Sequence, residues 1–187
     1  MLSSVEFKTP KLVALCGSPG SGKTTVAQLL ALRYDGVMVD DAQILRQSCM
    51  TIYGLTYEQV STQEGKSGFI NINNEPVQIR KLLGDMGKYL EAAHGSEIIA
   101  ELAIAKCNLN NDVPFYVFGS CRKNQGRSYQ RNGGIVVHVD GTSPTSIYDF
   151  DVWNNDLVQI VIPNKGTLLE LRDAVYSIFD DIYTIKD

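Results

Sequence analysis

Apolar residues fall in short continuous runs and in helical stripes that alternate along most of the chain, with polar stretches between them. Residues 1 to 10 are polar and close with Pro10, a lead-in to the apolar strand Leu12-Val-Ala-Leu-Cys16. Val26, Leu29 and Leu30 recur at helical spacing as far as Tyr34, where Asp35-Gly36 ends the helix. Val37-Met-Val39 predicts a short buried strand ending in Asp40-Asp41, and a helix follows from Ala42 towards Ile52. Residues 54 to 76 are rich in Gly, Asn, Ser and Gln with weak periodicity, so a lid or substrate-covering insertion is expected there.

Beyond that insertion, Ile79, Leu82, Leu83, Met86 and Leu90 form a helical stripe, and a second helix runs through Ile98, Leu102, Ala105 and Leu109. Phe115-Tyr-Val-Phe118 and Ile135-Val-Val-His-Val139 are apolar strands. Residues 141 to 156 form a polar excursion containing Pro144, and Leu157 to Ile162 makes the fifth strand. Thr167-Leu-Leu-Glu170 has the form of a capping box and opens a last helix through Leu171, Val175, Ile178 and Ile182. Strands alternating with helices imply a single α/β domain over residues 1–187, with five parallel strands covered by helices on both faces.

The connection after the first strand adds chemistry to this pattern. Gly17-Ser-Pro-Gly-Ser-Gly-Lys23-Thr24 matches G-x-x-x-x-G-K-[ST] between a strand and a helix, the phosphate-binding P-loop of nucleoside triphosphatases. Its glycines let backbone N–H groups approach phosphate oxygens where a Cβ would obstruct them. The residues expected to hold ATP are Gly17, Ser18, Pro19, Gly20, Ser21, Gly22, Lys23, Thr24 and Thr25. Lys23 is placed for the β- and γ-phosphates and the Thr24 hydroxyl for Mg²⁺. The fold expected is therefore a three-layer P-loop NTPase. Gly65-Lys-Ser67 also reads G-K-S, but the position five residues before Gly65 is Val60 and no apolar strand leads in. A polar loop is expected there, with Lys66 a solvated charge or a substrate contact.

Composition narrows the partners. The chain has 187 residues, 44% of them hydrophobic, and a formal charge of −4, which argues against a surface that binds nucleic acid everywhere. No apolar run approaches a membrane span, no secretory signal precedes the cysteines, and Cys16, Cys49, Cys107 and Cys121 form no C-x-x-C pair, so free thiols in a reducing cytoplasm are expected, the host's if the chain is viral. Arg122, Lys123, Arg127 and Arg131 make one dense basic stretch, which reads as a lid over ATP phosphates, a nucleic-acid contact or a solvated face. His94 and His138 lack metal-ligand spacing. Tyr53, Phe69, Tyr89 and Trp153 are candidates for stacking on a base.

Taken in order, these motifs resemble the phage deoxynucleoside monophosphate kinases, relatives of adenylate and thymidylate kinases. The resemblance rests on the P-loop, Arg80-Lys-Leu-Leu-Gly-Asp-Met-Gly87, Arg122 past the third core strand, Gly133-Gly-Ile-Val-Val-His-Val139, Asp156-Leu-Val, and Asn164-Lys-Gly-Thr-Leu-Leu-Glu170. Departures cluster on the acceptor side. Gly84 stands where the family has Gln, Gly87-Lys-Tyr89 replaces G-T-D, and Ser120-Cys-Arg122 replaces D-x-R, so a carboxylate is missing while the arginine is kept. The resemblance implies ATP- and Mg²⁺-dependent phosphoryl transfer, with Lys23, Arg122 and Arg80 gripping phosphates.

At the end of the second strand, Asp40 is expected to be functional, ordering the acceptor or Mg²⁺-bound water, and Asp41 to cap the next helix. The acceptor stays open between a free deoxynucleoside monophosphate and 5-hydroxymethyluracil in modified DNA; a homodimer is left open, and no membrane partner is expected. A nucleotide switch is disfavoured because Asn164-Lys-Gly-Thr167 lacks the aspartate of N-K-x-D and no D-x-x-G occurs. A non-catalytic ATP binder stands as the remaining alternative.

Overall fold

The computed structural model describes residues 9–107, 109, 112–142 and 148–183; residues 1 to 8 of the polar lead-in and Pro144 lie outside them. In chain order the elements are β1 (Leu12–Cys16), α1 (Lys23–Tyr34), β2 (Val37–Val39), α2 (Gln43–Tyr53), α3 (Tyr57–Ser61), α4 (Gln63–Ser67), β3 (Phe69–Ile72) and β4 (Glu75–Gln78). These are followed by α5 (Ile79–His94), α6 (Ile98–Ile104), β5 (Tyr116–Phe118), α7 (Gly126–Arg131), β6 (Ile135–Gly141), β7 (Ile160–Asn164) and α8 (Leu168–Phe179). The main sheet has the order β2-β5-β1-β6-β7 and every pairing in it is parallel. The three-layer α/β architecture read from the sequence is the one observed.

β1 sits at the centre of the sheet because all five of its residues are apolar, and both faces of it are fully buried. Val13 and Leu15 point to one side, where Val26 and Leu30 of α1 and Leu171, Val175 and Phe179 of α8 cover them. Leu12, Ala14 and Cys16 point to the other side, against Ala100 and Ala103 of α6 and Tyr129 of α7. Each such large side chain contributes about 1.5–3 kcal/mol by leaving water. Helix α8 begins at the expected capping box, with Thr167 Oγ1 accepting the Glu170 N–H and Glu170 accepting the Thr167 N–H.

Several local expectations change. β2 is an edge strand with Val37 41% and Met38 46% exposed, so it is not buried. α6 stops at Ile104 and turns Ile99, Ala100, Ala103 and Ile104 inward; the stripe through Leu102 and Leu109 is not its packed face. The fifth strand starts at Ile160, after a 3-10 turn over Asn155–Leu157.

Residues 54 to 76, where weak periodicity suggested a lid or substrate-covering insertion, form regular elements. Two short helices, each capped by a threonine, lead into the antiparallel hairpin β3-β4, and Asn73 and Asn74 both take the left-handed conformation at its tip, as a type I′ turn requires. Leu55, Val60, Ile70, Ile72 and Val77 pack this excursion onto Ile79 and Leu82 of α5 and Cys49 of α2. The Gly65-Lys-Ser67 stretch is helical, and Gly65 is there for space: a Cβ would lie 2.4 Å from the Glu58 carbonyl oxygen.

Candidate active site

β1 runs directly into the P-loop, which delivers Lys23 and Thr24 at the first turn of α1. Gly17, Gly20 and Gly22 all have positive φ, a path closed to most side chains. Gly22 caps α1 without any side-chain hydrogen bond, and no acidic residue occupies the first turn. The N–H groups at the start of this 12-residue helix therefore retain their capacity for an anion, reinforced by the helix dipole. Neighbours fix the loop: Asn164 Nδ2 donates to the Ser21 carbonyl at 2.8 Å, and Gly141 packs so close that a Cβ there would meet the same oxygen at 2.6 Å.

Lys23 Nζ donates to the Gly17 and Ser18 carbonyls at 2.7 and 2.8 Å. Burial, and then the nearby Arg122 guanidinium, push its pKa down to about 8. An ammonium held this way gains from any anion that enters the loop. Cys16 beneath it is pushed up to about 12 by burial, so that thiol stays protonated. All four cysteines are free, as expected.

The P-loop lines a cleft of about 510 Å³. Its lining carries seven cations, Lys23, Arg46, Lys66, Arg80, Lys88, Arg122 and Lys123, against two carboxylates, Glu91 and Asp151. A chain with net charge −4 thus gathers seven of its 17 Lys and Arg residues in one concave place. Arg80, near the start of α5, and Arg122, past the end of β5, converge on Asp151, whose side chain is 3% exposed; the distances are 3.4 and 3.1 Å. Arg80 also donates to Gln63 Oε1 at 2.6 Å. Lys123 pairs with Glu91, and Lys88 with Asp149 at 2.8 Å.

Neither aspartate after β2 caps α2 with its side chain, and neither lines the cleft. Asp40 accepts the Ala42 N–H at 3.1 Å at the entrance to α2, pairs with Arg46, and does not line the cleft. Asp41 makes no cap. It is buried and accepts the Ser120 N–H at 2.7 Å. Burial raises its pKa to about 6, with that hydrogen bond pulling the other way. The carboxylate that β5 lacks at Ser120 is thereby supplied by the neighbouring strand, one hydrogen bond away.

The other departures on the acceptor side also have a structural account. Phe150 lies over Gly84 so closely that a Cβ would meet its ring at 2.1 Å, and Arg122 stacks on the same ring at 5.4 Å from its centre. The ring takes the space a longer side chain at position 84 would need. Gly84→Gln is expected to destabilise the fold by about 1–3 kcal/mol through overpacking, and Phe150→Ala in the same chain to recover part of that loss; thermal melts of the two variants test this. Of the aromatic candidates for stacking, only Trp153 lines the cleft, with its ring 4.7 Å from that of His138.

The dense basic stretch is divided. Arg122 and Lys123 face the cleft, whereas Arg131 pairs with Glu97 and Glu101 on the surface of α6 and Tyr129 is fully buried. No continuous basic face results. Sequence reasoning missed Asp151, which sits in a polar excursion without any spacing signal; Lys66, read as a solvated charge or a substrate contact, lines the cleft. No group of three or more metal-ligating side chains occurs among the described residues, and none of their helices is long and apolar enough to cross a membrane.

No protein-family model matches the chain, and no curated protein does. Among solved structures it is similar to TT1252 from Thermus thermophilus, with a TM-score of 0.50 and 16% identity over 94% of this chain and 99% of that one. It also matches, at lower scores, the dephospho-CoA kinase from Campylobacter jejuni (0.45, 12% identity, 94% and 99% covered). The shikimate kinase from Bacteroides thetaiotaomicron scores 0.43 at 12% identity, with 90% and 96% covered. At such identities the likeness to TT1252 shows a shared fold, and with the glycine-rich loop at the head of α1 the fold is that of a P-loop protein.

Proposed function

We propose that the protein is an ATP- and Mg²⁺-dependent P-loop kinase whose acceptor is a small nucleotide bearing its own phosphate, a deoxynucleoside monophosphate. One observation carries this reading: the cleft is lined both by a phosphate-binding loop and by a cluster of cations outside that loop, and both carboxylates lining it are engaged by cations. A hydroxyl acceptor needs a base to take its proton. A carboxylate clamped by two arginines is a poor base. The phosphate oxygen of a monoester carries no proton to remove at neutral pH, so it needs none.

In this reading the α1 N-terminus and Lys23 hold the β- and γ-phosphates of ATP. Arg122, which lines the same cleft and acts on Lys23, neutralises the phosphoryl group in flight. An acceptor phosphate oxygen bonds to the γ-phosphorus as the bond to the β–γ bridging oxygen breaks; the products are ADP and a nucleoside diphosphate, and no proton has to move. The Thr24 hydroxyl, exposed in the first turn of α1, would hold a magnesium ion, since Mg²⁺ keeps several waters and takes few protein ligands. That ion would neutralise phosphate charge. Asp41, buried behind the cleft and accepting the N–H of Ser120 in its lining, is a positioning residue in this reading. Residues 54–76 cover the acceptor side and bring Gln63 and Lys66 to it.

The modified-DNA alternative keeps the altered acceptor motifs in its favour, but one residue of its basic stretch, Arg131, is paired to acidic residues of α6. The test is ADP release with Mg·ATP and, separately, the four deoxynucleoside monophosphates, their nucleosides, and duplex DNA containing 5-hydroxymethyluracil. Release with at least one monophosphate, and none with nucleosides or DNA, is expected. Release with modified DNA alone would overturn the acceptor assignment.

A further inference from the structure

Lys66 is the one cleft cation outside the P-loop whose side chain makes no hydrogen bond or ion pair among the described residues. It stands on α4, one turn after Gln63, so both side chains share the helix face that meets Arg80. The Thr62 cap and the close packing at Gly65 fix that helix against α3. Around Lys66 stand Arg46 from α2, Arg80 from α5, and Arg122 and Asp151 from the two loops that close the cleft. Three guanidiniums and one carboxylate form a costly setting for a partly buried ammonium, and burial followed by Arg80 pushes its pKa down to about 8.

Charge bookkeeping across this cluster identifies what is missing. Arg46, Lys66, Arg80 and Arg122 bring four positive charges; Asp40, paired with Arg46, and Asp151, shared by Arg80 and Arg122, bring two negative ones. With Asp41 counted as well, since it acts on Arg46 and Arg122, the cluster still carries excess positive charge, which a phosphate monoester at about −1.5 to −2 would neutralise. Lys66 lines the cleft from α4, on the helix face whose Gln63 accepts from Arg80, so it stands outside the P-loop on the Arg80 side of the cleft.

We propose that Lys66 directly binds the acceptor's own phosphate and makes that side of the cleft selective for a dianionic monoester over an uncharged analogue. The inference rests on the kinase reading for the identity of the acceptor, and its test is a binding measurement that does not need turnover. With Mg²⁺ and a non-hydrolysable ATP analogue occupying the P-loop, inorganic phosphate is titrated calorimetrically into the full chain at neutral pH. Lys66→Met is expected to weaken phosphate binding at least about tenfold, the scale of a hydrogen bond between charged groups, with the affinity for the ATP analogue unchanged. Lys66→Arg should recover most of the loss. Lys81→Met, on the outer side of α5 and paired with Asp85, should behave as wild type. The proposal is overturned if Lys66→Met takes up phosphate as the wild type does, if the analogue's affinity falls in step, or if the wild type binds no phosphate beside the analogue. Lys66-dependent phosphate binding without transfer to any deoxynucleoside monophosphate would uphold the site and contradict the kinase reading alone.

Discussion

Asp41→Asn is expected to make the protein more stable at neutral pH and to cut phosphoryl transfer by about 100-fold. The native pKa of about 6 lies above the ordinary carboxylate value of 3.8. Between those two values the folded protein holds a proton that the unfolded chain has lost. Stability therefore falls as pH rises from about 4 to about 6 and stays reduced above that. The two-unit difference corresponds to about 3 kcal/mol at neutral pH. Asparagine is neutral, has nearly the same shape, and still offers an oxygen to the Ser120 N–H. Allowing for relaxation, about 2 kcal/mol should return, a rise in Tm of about 5 °C at pH 7 that disappears in melts at pH 4. Asp40→Asn, by contrast, removes an ion pair to Arg46 at the rim, and transfer should change by no more than a few-fold. If Asp40→Asn abolished transfer while Asp41→Asn left it intact, the reading of the two aspartates would be reversed.

The second large effect is at Asp151. Its carboxylate is almost fully enclosed and faces two guanidiniums, so Asp151→Ala leaves both cations without that counter-charge in a confined space. Removing one side of a buried pair costs about 3–5 kcal/mol; because Arg80 and Arg122 keep some access to water, about 3 kcal/mol is expected here, a fall in Tm of about 6–12 °C. Sulfate should then stabilise the variant more than the wild type, because an anion that binds only the folded state replaces the lost carboxylate. Melts of both proteins with and without sulfate test this. Equal sulfate effects on the two would show that the arginines do not form an anion site.

Much of the scaffold is written locally. The glycine and lysine positions of the P-loop, the apolar runs of β1, β5 and β6, and the capping box of α8 are each set by contiguous residues, and each stands where the spacing places it. The Phe69–Gln78 hairpin was also legible, since Phe69-Ile-Asn-Ile72 alternates and Asn73-Asn74 suits a tight turn. Its polar composition hid it. In α6 the residues packed on the sheet are Ala100, Ala103 and Ile104, a face that a stripe counted from Ile98 does not pick out.

The acceptor side is different in kind. Asp151 reaches Arg80 across 71 positions, and Asp41 reaches Ser120 across 79, so neither pairing has a spacing that a single sequence reveals. Gly84 looked like the loss of a functional side chain; only the ring of Phe150 over it shows what fills the position. Lys66 looked like part of a failed motif, and it is α4, packed through Gly65, that carries it into the cleft.

The most direct test of the account follows the atoms. ATP labelled in its γ-phosphorus is incubated with Mg²⁺, the wild-type chain and a mixture of the four deoxynucleoside monophosphates, and the position of the label is read by phosphorus NMR and mass spectrometry. The account predicts label in the β-phosphate of a deoxynucleoside diphosphate, with an equal amount of ADP formed. Label appearing only as inorganic phosphate, or remaining wholly in ATP, would contradict it.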